Sequence, residues 1–163
     1  MTQRRSFVLG LAVLVAGCGF ELRRAPELRF KTVQLAGFKP HSTLADELRR
    51  SIAASTTTRV VEAASQAEVV LEAFSDSRDK GVVASTSAGQ VREVQLRAVL
   101  NFRLRTPAGK ELIAPTEIAL SRDMTYNERD ALAKEQEEEQ LYRAMQSDIA
   151  AQVLRRLAAV KTL

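Results

Sequence analysis

The chain has 163 residues, 45% hydrophobic and 27% charged, the composition of one ordinary globular domain rather than a disordered or fibrous chain. One Cys and one His exclude a disulfide framework and any metal site built from several of either. The formal net charge of +4 is half due to Arg4 and Arg5; without them, 22 Lys and Arg face 20 Asp and Glu. That balance, with 5% aromatics, does not make the basic, aromatic-interleaved face of a nucleic-acid binder, so no nucleic-acid partner is expected.

Residues 1–17 read as a lipoprotein signal peptide. Arg4 and Arg5 precede an apolar run from Phe7 to Ala16, broken only by Gly10. The run is half the length of a bilayer-spanning helix, which needs roughly 20 residues, and fits a secretory h-region. Val15-Ala16-Gly17-Cys18 then resembles a bacterial lipobox. Its small residues let a signal peptidase reach the backbone, and the thiol of the chain's one Cys takes the lipid. Cys18 would carry S-diacylglycerol and an N-acyl group, which together exceed the two signals needed for stable anchoring. Gly19 stands where an Asp would mark inner-membrane retention, so a periplasm-facing, lipid-anchored outer-membrane protein is expected. Residues 18–27 read as the acylated Cys and a tether.

The domain is expected over 28–163. Leu28 to Leu35 has strand composition and ends at the breaker Gly37-Phe38-Lys39-Pro40. Ser42 is placed to cap a helix whose Leu44, Leu48 and Ile52 share one face; the hydroxyl-rich run 55–58 ends it. Arg59 to Ala63 is a short strand. Glu68 to Ala84 reads as a long strand interrupted by the polar segment Ser75 to Gly81, whose plainest reading is a bulge or local irregularity, and Ser87 to Gln90 as a turn. The clearest periodicity follows: Val94, Leu96, Ala98, Leu100, Phe102 and Leu104 alternate with mostly polar neighbours, so one sheet face lies on a core. Thr106 to Gly109 makes a hairpin turn, and Leu112 to Leu120 returns in the same even-numbered pattern, with Pro115 demanding an edge or a bulge. From Glu128 to Val160 the period is helical: Leu141, Met145, Ile149, Val153 and Leu157 form a stripe, with an acidic run at 135–139 expected to be a solvated face. The fold class is therefore α/β: a two-layer sandwich of a largely antiparallel, four- to five-stranded sheet with two helices packed on one face.

Chemistry-bearing motifs are sparse. His41 reads as a loop residue, and Ser77-x-x-Lys80 lacks the helix that would align an acyl-serine pair. There is no phosphate loop, HExxH or GxSxG, so no enzyme activity and no cofactor are expected. Arg97, Arg103 and Arg105 alternate on the side of their strand opposite the apolar stripe, and Arg92 lies near its start with the opposite parity. Arginines of this kind bind phosphates or carboxylates bidentately, or line a wet sheet face open to another protein.

The string Leu14 to Arg23 resembles the start of the mature LptE lipoproteins, with Cys18, Gly19, Phe20, Leu22 and Arg23 at the matching positions. The Gly89-Gln90 turn followed by Glu93, Gln95, Leu96 and Asn101 is similar to that family's central hairpin. Ala131 to Glu135, and the helix through Met145, Asp148, Gln152 and Leu157, are similar to its C-terminal section. The resemblance implies a lipoprotein that plugs and helps assemble LptD, the outer-membrane β-barrel that inserts lipopolysaccharide into the outer leaflet, and that itself binds lipopolysaccharide. It implies binding residues near the central hairpin tip and the start of the last helix. Lys134 matches the second place; Ser87 stands where a basic residue is expected in the first, with Arg92 nearby. The candidate lipopolysaccharide ligands are thus Lys134 and Arg92, with Arg97, Arg103 and Arg105 on the strand. Two other readings stay open: a lipid-binding module acting without a barrel, and an assembly pilot for a different envelope partner.

Overall fold

The computed structural model describes residues 27–54 and 57–161. The expected signal peptide, Cys18 and nearly all of the tether lie outside them. Leu28 and Phe30 are buried although they precede the first strand, β1 (Thr32–Ala36). Helix α1 (Thr43–Ala53) begins as its sequence demands: the Ser42 hydroxyl accepts the Ala45 N–H at 3.0 Å, and Leu44, Leu48 and Ile52 face the core. Then come β2 (Arg59–Val61), β3 (Val69–Ser85), β4 (Val91–Arg105) and β5 (Glu111–Thr125). A 3-10 turn at Glu128–Asp130, capped by the Asn127 side chain, leads into the 28-residue helix α2 (Ala131–Ala158).

The strands form one sheet in the order β2-β1-β3-β4-β5. β3, β4 and β5 are an antiparallel meander, as expected, but β1 pairs in parallel with both β2 and β3. The sheet is therefore largely antiparallel, as expected, with a short parallel part at the β1–β2 edge that makes it mixed. The cause lies in the β1–β2 connection: it contains a whole helix, which returns the chain to the end where β1 began, so β2 runs the same way. Both helices pack on one face. Leu44, Leu48 and Ile52 of α1 and Met145, Ile149, Val153 and Leu157 of α2 join the even-numbered stripe of β4 in a single apolar cluster. Among the described residues no helix is long and apolar enough to cross a membrane.

β3 corrects the sequence reading most. It runs unbroken for 17 residues, so the polar segment Ser75 to Gly81 does not interrupt it. The expected irregularity is a bulge, but it lies between Ala73 and Ser75, at the start of that segment, where the extra residue is Phe74. Before the bulge Leu71 and Ala73 oppose Leu104 and Phe102; after it Asp76, Arg78 and Lys80 oppose Leu100, Ala98 and Leu96. Opposed residues of an antiparallel pair share a face, so the bulge moves the inward set from odd to even numbers. Three polar side chains thus enter the helix-side layer. A second bulge shifts β5: Thr116 opposes Phe102 and Ile113 opposes Leu104, so Ala114 and Pro115 together oppose Arg103, one residue in excess. The even-numbered pattern of β5 holds from Thr116 onward, while Ile113 takes the inward place before it. Pro115 sits at a bulge and on an edge strand together, where no ladder hydrogen bond is lost.

Candidate anion-binding site at the hairpin end

The candidate arginines divide between two faces. Arg103 and Arg105 converge on Glu72 of β3, at 2.7 Å and 3.0 Å, and the Arg103 guanidinium lies 5.2 Å from the ring centroid of Phe74. Arg97 faces Glu117 of β5 at 3.9 Å. Together with the Gln95–Asp123 hydrogen bond of 2.9 Å, these pairs make the open sheet face polar but largely neutralised by itself. The hydrogen bonds from Arg105, then from Arg103, hold the Glu72 carboxyl below the usual carboxylate range against the opposing effect of burial. A depressed folded value means that Glu72 stabilises the fold above the ordinary carboxylate range and stops doing so as pH falls through the depressed value. Glu72→Gln should therefore lower stability at pH 7 by about 1 kcal/mol or less, as for other part-exposed ion pairs. The deficit should vanish in denaturant melts at the acid end, where wild-type Glu72 is itself protonated. A deficit independent of pH would point to packing instead.

Lys134 and Arg92 lie elsewhere, near the distal end of the β3–β4 hairpin on the approach to α2. The Tyr126 N–H donates to the Arg92 carbonyl at 2.8 Å, and the Lys134 ammonium donates to the Thr125 hydroxyl at 3.2 Å. Both therefore abut the Thr125–Tyr126 end of β5. A cleft of about 300 Å³ opens there, walled by Arg92, Tyr126, Glu128 and Arg129 among others. The Arg92 side chain is exposed and makes no ion pair among the described residues. Lys134 is more enclosed and holds Glu137 at 2.8 Å.

Sequence reasoning missed Lys80. Its ammonium sits 5.6 Å from the centroid of the Tyr126 ring and pairs with Glu138 of α2 at 2.6 Å. One strand period earlier, Arg78 pairs with Glu139 at 3.2 Å, donates to the Thr43 hydroxyl at 2.6 Å and stacks 5.0 Å from the Tyr142 ring. Tyr142 in turn donates to the Asp79 carbonyl at 2.8 Å, and burial, with the Glu138 charge second, pushes its hydroxyl pKa up. The acidic run is therefore not a plain solvated face: Glu137, Glu138 and Glu139 each hold a cation. The available signal was the match between Arg78-Asp79-Lys80 and the three glutamates, read at sequence level as two unrelated polar stretches. Ser77 and Lys80 have opposite parity on β3, and Ser77 bonds Asp79 at 3.3 Å, so they make no catalytic pair. His41 lies in the loop before α1, as expected.

A family model described as LptE, lipopolysaccharide-assembly, matches residues 30–157. The chain belongs to the LptE family. An LPS-assembly lipoprotein LptE of Photorhabdus laumondii is 31% identical over 158 residues, spanning 95% of this chain and 85% of the relative. The LptE of Pectobacterium atrosepticum is 30% identical over the same length and coverage. Among solved structures, a lipoprotein B of Nitrosomonas europaea matches at 34% identity with a TM-score of 0.73, covering 86% of this chain and 91% of its own. The rare lipoprotein B of Shewanella oneidensis matches at 27% identity and a TM-score of 0.66, covering 79% and 95%. The LptE match runs from just before β1 to the last turn of α2, so it includes the whole hairpin-end corner and both faces of the sheet.

Proposed function

We propose that this LptE-family chain is an outer-membrane lipoprotein, cleaved after residue 17 and acylated on Cys18, whose single domain over 28–163 faces the periplasm. There it plugs and helps assemble an LptD-type β-barrel and binds lipopolysaccharide at the hairpin-end corner. The observation that carries the lipid reading is the placement of two cations at neighbouring residues of one strand end: Arg92 walls the cleft that Tyr126 also lines, and the Lys134 ammonium is held on the adjacent Thr125 hydroxyl. Phosphates of the lipid would accept charge-assisted hydrogen bonds from both. Arg97, Arg103 and Arg105 fit the other half of the function: their self-paired, polar sheet face suits the polar lumen of a barrel.

Charge reversal by Arg92→Glu with Lys134→Glu is expected to weaken lipopolysaccharide binding at least tenfold, the scale of losing one or two charge-assisted hydrogen bonds. The barrel should still co-purify with the acylated variant from detergent-solubilised outer membranes. Unchanged binding in a direct titration would remove the site. An empty bait, with lipid still bound, would favour a lipid-binding module that works without a barrel; a different barrel and no lipid would favour an assembly pilot.

A further inference from the structure

We propose that Glu137 and Glu138 act as internal surrogates for the ligand's phosphates, and that Lys80 is a third cation of the site. Polyphosphorylated lipid then binds by displacing these carboxylates from Lys134 and Lys80. This regulation rests on the lipopolysaccharide reading of the corner.

The geometry carries it in three steps. Lys80 and Lys134 reach the same short segment from opposite sides, one over the Tyr126 ring and one on the Thr125 hydroxyl. Tyr126 also walls the cleft that holds Arg92, so the residues the two lysines touch, Tyr126 and its neighbour Thr125, lie at the edge of that cleft. Each lysine is held by a carboxylate of α2, at 2.6 Å for Lys80 with Glu138 and 2.8 Å for Lys134 with Glu137. These are the distances at which a phosphate oxygen would sit.

The exchange is cheap because little apolar packing locks this part of the helix. From Ala131 to Leu141 no residue of α2 is buried, and the apolar anchoring begins at Tyr142 and continues through Met145, Ile149 and Val153. Before Leu141, which is only partly buried against the core, the first turns of the helix are held mainly by the ion pairs of Glu137, Glu138 and Glu139. Part-exposed ion pairs of this kind are weak, whereas a phosphate bridging two or three cations makes several charge-assisted bonds at once. The carboxylates keep the cations oriented and neutral until such a ligand arrives, and they penalise a singly charged one that cannot replace both.

The test uses the full acylated lipoprotein in detergent, titrated with purified lipopolysaccharide, with dephosphorylated lipopolysaccharide and with inorganic pyrophosphate. Glu137→Gln with Glu138→Gln should tighten lipopolysaccharide binding about threefold to tenfold. Lys80→Gln should weaken it several-fold, and neither change should alter binding of the dephosphorylated lipid. Glu62→Gln with Glu111→Gln makes the same charge change away from the lysines, just past edge strand β2 and at the far end of β5 from Thr125, and should leave affinity within twofold. Equal tightening in both pairs would overturn the surrogate role in favour of general electrostatics, as would no tightening in the first. A wild-type protein that binds no lipopolysaccharide would overturn the underlying site and this regulation together. A wild type that binds, with an unresponsive Glu137/Glu138 pair, would overturn the regulation alone. Pyrophosphate competing as well as the lipid would assign the site to free phosphates rather than to a lipid headgroup.

Discussion

Phe102→Ala is expected to lower the unfolding free energy by about 3–5 kcal/mol and the melting temperature by about 10–20 °C. Phe102 is fully buried on β4, the fourth strand of five, beneath α2. Its cross-strand partners are Ala73 and Thr116, too small to refill the space, and each lies beside a bulge that fixes its backbone. Retained stability is bounded by the cavity, because the surroundings collapse only in part. A second loss adds to it. The Arg156 guanidinium lies 6.0 Å from the Phe102 centroid, and one of its nitrogens, Nη1, is buried without a hydrogen-bond partner among the described residues. The ring face is thus a favourable neighbour for a part-buried cation, worth about 1 kcal/mol or more when desolvated. Phe102→Leu, which keeps much of the volume but not the ring, should cost less than Phe102→Ala and still expose that coupling. A cycle of Phe102→Leu with Arg156→Met should leave an interaction energy of about 0.5–1 kcal/mol. Denaturant melts decide the matter: a loss under about 1 kcal/mol for Phe102→Ala, at unchanged slope, would mean that the site repacks and is not the centre of the core.

What the sequence made legible is what a single regular period encodes. The six even residues of β4 from Val94 to Leu104 are all buried as their alternation demands, and Met145, Ile149, Val153 and Leu157 do the same for α2. The Ser42 cap was readable because a cap is local: residue type and a three-residue reach suffice. The failures share one cause, that a bulge or a crossover changes phase without a residue signature. Phe74 looks like one more apolar strand residue, yet it is the extra residue that turns Arg78 and Lys80 toward α2. A bulge in this stretch was readable, but without its position the segment from Ser75 to Gly81 gives no face to Arg78 and Lys80. The parallel pairing of β1 was hidden similarly, since composition does not report strand direction.

The candidate site was half legible for a related reason. Lys134 and Arg92 were reached through family resemblance, and the structure places both at the Thr125–Tyr126 corner. Lys80 joins them only through a pairing with a helix 58 residues away. Conversely, Arg103 and Arg105 looked available for phosphates because Glu72, their shared acceptor, stands 31 and 33 residues upstream. Charge alternation along one strand tells which side a cation takes. Only the neighbouring strand tells whether it is already engaged.

Gly37→Ala, a change of one methyl group, is expected to cost at least about 3 kcal/mol, combining left-handed strain with an overlap that the backbone must relieve. Gly37 has φ +77°, and a Cβ there would run into the backbone carbonyl oxygen of Ala73. That oxygen belongs to a β3 residue paired with Phe102 immediately before the Phe74 bulge, so it cannot swing aside without disturbing the ladder or the bulge. Nor can the Gly37 loop retreat freely, since it joins β1 to the capped start of α1, where the Ser42 hydroxyl donates to the Asp76 carboxylate at 2.5 Å. Two other glycines separate the two contributions. Gly89 and Gly109 also have positive φ, at +80° and +94°, but a Cβ at either meets open space. Gly89→Ala and Gly109→Ala should therefore cost only the conformational strain, about 1–2 kcal/mol, and leave the hairpins paired. Equal losses at all three positions in denaturant melts would show that backbone conformation alone sets the cost and that β3 yields to the added methyl. A markedly larger loss at Gly37 would identify the Gly37–Ala73 approach as the contact that seats the β1–α1 loop on the bulge. Because that bulge sets the phase of Arg78 and Lys80, Gly37→Ala is the one of the three substitutions that should also disturb the Lys80–Glu138 pair, nearly half the length of β3 away.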